Sequence, residues 1–192
     1  IAACFHTVMN YFGTGGTWYS IAIYFYIYGV YLFFDFAGYS NMAIGASYIF
    51  GVRTPENFNA PFVSKDIKEF WNRWHMTLSF WFRDFLFSRI TMALVRTRKI
   101  KNKLVIASIA FMINMFVMGV WHGLELNYIV YGLYHGVLLS ACEIFQKKSK
   151  FYKAHKKDKW FMGVSWFITL HLVMFGFFIF SGRLGILLSS QG

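Results

Sequence analysis

The composition of this 192-residue chain is unlike that of a soluble domain: 57% of its residues are hydrophobic, 22% are aromatic and only 14% are charged, whereas soluble domains carry about a quarter charged residues. The formal net charge of +11 does not indicate a nucleic-acid-binding protein, because the basic residues fall in short runs between apolar segments, as in the cytoplasmic loops of membrane proteins. The cysteines, Cys4 and Cys142, lie far apart in apolar surroundings and predict no disulfide framework. The sequence predicts an all-α, polytopic membrane protein.

Long apolar segments predict the membrane-spanning helices. After a short apolar stretch and a glycine-rich turn at 13–16, the first clear span covers 18–34. A crossing needs about 20 predominantly apolar residues, and three later segments come close to that length. We predict these spans at 104–121, 127–145 and 160–180.

Asp35 interrupts the apolar run after the first span, which then continues to Phe50. Its carboxylate is either a charge or helix cap at headgroup level, or a polar anchor in a cavity, and the sequence leaves both readings open. Small residues farther along, including Gly38 and Gly45, predict close packing against another helix.

Residues 66–95 resemble a span only in part. Along 66–82, Trp-rich apolar positions recur at three- and four-residue steps opposite a polar face, which predicts an amphipathic interfacial helix. The run up to residue 95 contains Arg83, Asp84 and Arg89, and three central charges would cost roughly 8–10 kcal/mol to insert. Neighbouring residues do not face each other on an α-helix, so Arg83 and Asp84 cannot simply neutralise one another. We therefore predict interfacial and re-entrant helices over 66–95, of which the 76–95 segment is buried against protein.

Two basic loops, at 96–103 and 147–159, set the expected topology. The positive-inside rule places both in the cytoplasm, so the turn near 121–127 lies on the outer side and the 76–95 segment enters and leaves from the cytoplasm. Because the first residues read as the end of a membrane segment, we expect 1–192 to be a single membrane domain and the C-terminal part of a longer chain.

The chain has six histidines. For His6 and His155 we predict surface positions, and for His135 and His171 hydrogen bonds between helices. The histidines show no His-x-x-x-His pair and the cysteines lack ligand spacing, so no metal site is predicted.

His122 and His75 are the histidines with a candidate chemical role. His122 ends the apolar stretch 111–123, and His75 borders the Trp-rich face. A neutral imidazole can take a proton from a hydroxyl nucleophile and return it to a leaving group. From spacing alone, catalysis and packing both remain open for these two residues.

Several motifs, in order along 34–180, resemble the membrane-bound O-acyltransferase family. They are FDFAGYS with MAIG at 34–45, PENFNAP at 55–61, EFWNRWH at 69–75, WFRD at 81–84 and GVWHG at 119–123. The resemblance implies transfer of an acyl group from a thioester donor to a hydroxyl across the bilayer. Members are about twice this length, so the resemblance also implies that an N-terminal half of the fold lies outside this chain.

Within the family, the motifs look most like the branch that serves teichoic acid D-alanylation. This resemblance implies a donor in which D-alanine is carried on the phosphopantetheine arm of a cytoplasmic carrier protein, with no cofactor bound to the enzyme itself. It implies an extracytoplasmic hydroxyl acceptor on the route to lipoteichoic acid, and a location in the cell membrane. The expected partners are the carrier protein, other membrane proteins of D-alanylation, the acceptor and membrane lipid.

The same resemblance assigns roles to residues. It implies that His122 is the catalytic histidine and that His75 shapes or polarises the site. We expect His75 and the Arg83 and Asp84 pair to form a floor that faces the carrier protein, whose acidic surface would dock on the basic loops. The predicted substrate contacts are Trp121, Asp35, Asn72, Arg83 and Asp84.

Three alternatives remain. One is O-acetylation of an exported polysaccharide of the alginate type, against which Asn41 stands where those relatives carry an acid. Another is a transporter, although such proteins ordinarily show paired broken helices in repeated halves. The third is a scaffold without activity. The enzyme reading leaves one conflict: His122 is predicted near the outer face, whereas the donor arrives from inside. Either the helix is tilted and His122 lies deeper, or a tunnel reaches it past the 76–95 segment.

Overall fold

The computed structural model describes residues 1–13 and 17–189, so most of the predicted turn at 13–16 lies outside the described residues. The all-α prediction is confirmed, since the regular elements of the described part are all helical. The first half of the chain also contains a short 3-10 helix at Pro61–Val63 and a π-helix at Phe82–Phe87. Its α-helices are α1 (Ala2–Gly13), α2 (Trp18–Ile49), α3 (Ile67–Trp71), α4 (Met76–Trp81) and α5 (Ser88–Thr97).

The second half is an antiparallel arrangement of long helices. Four helices of the described chain, α2 among them, are long and apolar enough to cross a membrane, as predicted. One difference concerns α2, which continues without a break through Asp35, because that side chain lies on the exposed side of the helix and requires no interruption. The remaining helices are α6 (Lys103–His122), α7 (Leu126–Lys148), α8 (Lys150–His155), α9 (Lys159–Phe180) and α10 (Arg183–Ser189).

Glycines bring α6 and α7 into backbone contact. A Cβ atom added to Gly119 would collide with the carbonyl oxygen of Tyr128, and one added to Gly132 would collide with that of Met115. Small residues allow such close approach between helices in a bilayer. At Gly38 and Gly45, by contrast, a Cβ would meet no atom within 4 Å, so the predicted close packing at these two positions is absent from the described structure.

The predicted amphipathic helix over 66–82 is wrong in its length and in its surroundings. Helix α3 ends at Trp71, and α4 begins only at Met76. The apolar face is buried within the bundle, because the rings of Phe70 and Trp74 stack 5.7 Å apart and Trp74 lies 4.8 Å from the ring of Phe177 in α9. Aromatic pairs of this kind add about 0.5–1.5 kcal/mol each beyond area burial, and periodicity alone cannot tell protein from lipid as the partner.

A polar contact places the start of the 66–95 segment beside the basic end of α7. Asp66 caps α3 by accepting hydrogen bonds from the backbone amides of Lys68 and Glu69, at 2.9 and 2.8 Å. Lys68 Nζ lies 2.6 Å from Glu143 near the basic end of α7. At the other end, α5 leads into the basic loop before α6. This path is compatible with a re-entrant segment, and both the re-entrant course and its depth in the bilayer stay predictions.

We predict that Gly132→Ala destabilises the α6–α7 pair, because the added methyl group must push two backbones apart. Overpacking of this kind typically costs about 1–3 kcal/mol. The check is the thermal unfolding midpoint of the complete protein in detergent. Gly163→Ala in α9 is the matched control, since nothing lies within 4 Å of its Cβ, and equal midpoints for the two variants would contradict the prediction.

Candidate active site

His75 and His122 line one small cavity in the helix bundle. The cavity has a volume of about 60 Å³ and is otherwise mostly apolar, with walls from α2, α3, α4, α6, α7 and α9. The structure therefore brings together the two histidines that the sequence singled out, although they are far apart in the chain. Sequence reasoning did not identify the other wall residues, which include Phe36, Tyr131 and Phe180.

His122 is the last residue of α6 and is held by ring contacts. Its ring lies 5.1 Å from that of Phe180 and 6.2 Å from that of Tyr128. Among the described residues its ring nitrogens have no hydrogen-bond partner, which leaves them available to a substrate. Trp121 packs 4.9 Å from the His122 ring but is 58% exposed and does not line the cavity.

His75 occupies the break between α3 and α4 in an unusual backbone conformation. Its φ of 45° and ψ of 52° lie in the left-handed region, which non-glycine residues seldom adopt. Its Nδ1 atom lies 2.9 Å from Oδ1 of Asn57, and its ring lies 4.6 Å from that of Phe36. Asn57 is a buried residue to which the sequence analysis gave no role, although it lies in the 55–61 motif.

A second cavity, of about 220 Å³, adjoins the first and contains other predicted site residues. Lys68, Asn72 and Arg83 contribute its polar side, while α6 contributes much of its apolar wall. The two cavities share Trp71 and Met118 as lining residues. The predicted site residues are therefore divided, with Asn72 and Arg83 in the larger cavity and the predicted catalytic histidines in the smaller.

Asn114 is a buried polar residue on the wall of the larger cavity that the sequence analysis did not identify. It lies within the apolar span of α6, and its Oδ1 atom is buried without a hydrogen-bond partner. Its amide nitrogen has only the sulfur of Met115 nearby, at 3.9 Å. A lone amide in a membrane span is costly, and that was the signal in the sequence that could have found it.

Trp71, which the cavities share, is fixed by a histidine in α7. Its Nε1 atom donates a hydrogen bond to Nδ1 of His135 at 3.3 Å, in a fully buried position. The predicted interhelical bond of His135 is thus confirmed. The same prediction for His171 is wrong, because its Nδ1 atom lies 2.7 Å from the carbonyl oxygen of Phe167 in its own helix.

Two acidic residues predicted at the site lie outside both cavities. Asp35 is exposed on α2 beside an open groove. Asp84 is also exposed, and its Oδ1 atom lies 2.8 Å from Nε of Arg83. The prediction that these neighbours cannot pair is wrong, because the guanidinium of Arg83 reaches the carboxylate of Asp84 within the π-helix. This hydrogen bond lowers the pKa of Asp84.

Within the described residues, no three His, Cys, Asp or Glu side chains converge as metal ligands would.

We predict that His75 stays neutral until the pH falls to about 4. Burial, and secondarily the nearby His122, lower the pKa of His75 from its ordinary value of 6.5 to about 4. The unfolded chain binds this proton first, so the stabilising contribution is present above pH 6.5 and is lost as the pH falls through 4. The check is an NMR titration of histidine-labelled protein, with His75→Gln to identify the signal. A midpoint near 6.5 would contradict the prediction.

Comparison with known proteins gives the site its context. The profile of the membrane-bound O-acyltransferase family matches residues 5–182. The chain is 51% identical over 161 residues to the teichoic acid D-alanyltransferase of Bacillus subtilis (strain 168), covering 84% of this chain and 41% of that protein. For the teichoic acid D-alanyltransferase of Streptococcus thermophilus the identity is 46% over 168 residues, covering 83% and 40%.

A more distant similarity points to a second activity within the same family. The probable alginate O-acetylase of Pseudomonas syringae pv. tomato is 38% identical over 149 residues, covering 78% of this chain and 26% of that protein. The chain thus spans about two fifths of the D-alanyltransferases and about a quarter of the O-acetylase. Because the family profile covers nearly the whole sequence, this chain belongs to the membrane-bound O-acyltransferase family.

Proposed function

We propose that the protein is an acyltransferase that moves D-alanine from a thioester-linked carrier protein in the cytoplasm to a hydroxyl group on the route to lipoteichoic acid. The observation that carries the proposal is the cavity that His75 and His122 share. Two half-buried imidazoles from distant parts of the chain meet there in a mostly apolar pocket. An apolar lining favours transfer to a bound hydroxyl over hydrolysis, because it disfavours water.

His122 acts as the general base in this proposal. Its ring takes the proton of the acceptor hydroxyl while the hydroxyl oxygen forms a bond to the thioester carbonyl carbon. The carbon–sulfur bond then breaks, and the imidazolium returns the proton to the departing thiolate. The absence of protein hydrogen bonds to the His122 ring in the described structure supports the assignment, because both ring nitrogens remain available for this transfer.

The larger cavity provides a route for the donor. Lys68 and Arg83 on its polar side belong to the segment that enters from the basic end of the bundle, and its apolar wall leads along α6 to Met118, next to the histidines. A phosphopantetheine arm entering there would bring its thioester toward His122 from the cytoplasmic side. His122 is predicted near the outer face, whereas the donor arrives from inside. To reconcile the two, we favour a tunnel that reaches His122 over a tilted α6 that places it deeper.

The comparisons favour D-alanine over acetate as the transferred group. The identity to the two D-alanyltransferases is 51% and 46%, against 38% for the probable alginate O-acetylase. O-acetylation of an exported polysaccharide is the second candidate. Membranes containing the complete protein, supplied with either a D-alanyl carrier or an acetyl donor, distinguish the two, and transfer of acetate alone would overturn the proposal.

We predict that His122→Ala lowers the rate of D-alanyl transfer by on the order of 10²–10⁴-fold, the usual contribution of a general base. The measurement is incorporation of labelled D-alanine in membranes that contain the complete protein at equal expression. His171→Ala is the matched control, because that histidine bonds within α9 and lines neither cavity. A full rate for His122→Ala would overturn the base assignment.

We also predict that charge reversal in the second basic loop weakens docking of the carrier protein. Opposite surface charges speed association at low salt, so the variant should associate at least about tenfold more slowly there and show a flatter salt dependence. Surface plasmon resonance with the carrier measures both. The residues to change are Lys147, Lys148, Lys150, Lys153, Lys156, Lys157 and Lys159.

The matched control for this loop replaces the same lysines with arginine, which retains the charge. Association of the arginine variant should match the wild type at every salt concentration. If the charge-reversed variant also binds as the wild type does, the basic loop is not the docking surface.

A further inference from the structure

The loop after α2, through Asn57 and Asn59, is hydrogen-bonded to both sides of the break that carries His75. The carbonyl oxygen of Asn57 accepts a hydrogen bond from the amide of Met76 at 2.9 Å, and the amide of Asn59 donates to the carbonyl oxygen of Arg73, also at 2.9 Å. The side chain of Asn57 is itself buried, at 8% exposure. The loop therefore holds the backbone on either side of His75 while its side chain reaches the ring.

The partners of Asn57 fix the direction of its side-chain amide. Its Nδ2 atom donates to Oγ of Ser40 at 3.1 Å. Its Oδ1 atom faces Oγ1 of Thr77 at 2.9 Å and the backbone amide of Thr77 at 3.4 Å. A backbone amide can only donate, so the atom that faces it, and that also faces Nδ1 of His75, is the amide oxygen.

This direction determines where the proton of His75 lies. The amide oxygen can only accept, so the 2.9 Å contact requires that Nδ1 of His75 carries the hydrogen. A neutral imidazole has one N–H and one lone pair, and the hydrogen bond at one nitrogen decides the state of the other. The lone pair is therefore on Nε2, which is left as the ring nitrogen that can meet a ligand.

We propose that Asn57 is a positioning residue that fixes His75 as the Nδ1–H tautomer and thereby makes it a hydrogen-bond acceptor in the cavity shared with His122. Neutral His75 accepts a hydrogen bond from a proton-bearing reacting group and cannot donate one to a thioester carbonyl. The sequence resemblance allowed His75 to polarise the site, and under this proposal it does not polarise the thioester carbonyl. The catalytic part of this inference rests on the proposed function, whereas the tautomer does not.

The backbone of His75 supports a positioning role. Left-handed backbone at a non-glycine residue persists where the surroundings over-determine it, and such residues cluster at functional sites. The 55–61 loop holds this turn through its backbone hydrogen bonds. The amide of Ser79 also holds it, by donating to the carbonyl oxygen of His75 at 2.9 Å. The ring packs edge-on against Phe36, so its orientation is fixed as well as its tautomer.

The first test measures the tautomer directly. Complete protein labelled with ¹³C and ¹⁵N in histidine is reconstituted in lipid bilayers, and the His75 signals are identified by their loss in His75→Gln. We expect the Nδ1–H form in the wild type and a shift toward the Nε2–H form in Asn57→Ala. An Nε2–H form in the wild type, or an unchanged tautomer in Asn57→Ala, would overturn the inference even if D-alanyl transfer is established.

The second test measures transfer. Asn57→Ala should lower kcat on the order of 10²-fold, the scale expected when a reacting group is misplaced, whereas Asn59→Ala should leave it unchanged. Asn59 is the matched control because it lies in the same loop with an exposed side chain and contributes through its backbone. A changed tautomer with an unchanged kcat would overturn the catalytic role of His75 and leave the tautomer assignment standing.

A third variant covers the outcome in which Asn57→Ala does not fold. Asn57→Asp keeps an acceptor beside Nδ1 but makes it anionic, which raises the pKa of a neighbouring histidine. The other titratable groups on the cavity wall are His122 and Tyr131, and the adjoining Phe36 and Thr77 are uncharged. We expect the acid limb of kcat to move up by at least about one pH unit. An unmoved acid limb in a folded Asn57→Asp protein would count against the contact.

Discussion

The site depends on keeping a non-helical stretch of backbone hydrogen-bonded within the helix bundle. An unpaired amide or carbonyl in hydrocarbon costs several kcal/mol, so irregular backbone survives at depth only where protein surrounds it. The chain between α3 and α4 meets this condition through the earlier 55–61 loop, which bonds to Arg73 and Met76 on either side of His75. The break that presents the imidazole therefore exists only while that loop is in place.

Phe58 holds the loop in place. Its ring lies 5.5 Å from Phe33 and 5.1 Å from Phe36 on α2, and 5.0 Å from Trp74 beyond α3. Trp74 in turn packs on Phe177 of α9. One aromatic cluster thus joins α2, the loop, the broken helix and α9, so the position of His75 relative to the bundle is set by packing and not by local helix propensity.

Periodicity and charge could predict the long helices and the path of the chain but not the interior of the site. The spans ending near Trp121 and Phe180 were predictable because twenty apolar residues in a row have few alternatives. The break at His75 was not, because its cause is a set of hydrogen bonds to residues far away in sequence. The same holds for Asn57, whose importance lies in what surrounds it, whereas Asn114 did carry a signal as a lone amide in an apolar span. The resemblance of motifs predicted that His75 and His122 belong to one site. Only the structure shows how they are arranged there.

The wall that Trp71 and Met118 form between the two cavities has a consequence for the membrane as a barrier. A path that admits a donor from one side and an acceptor from the other is also a path along which protons and ions could leak. Narrow apolar constrictions resist filling by water and so block conduction. The indole of Trp71, tied to His135, and the thioether of Met118 line both cavities, so the junction between them is of this apolar kind and would oppose such a leak along the proposed donor path.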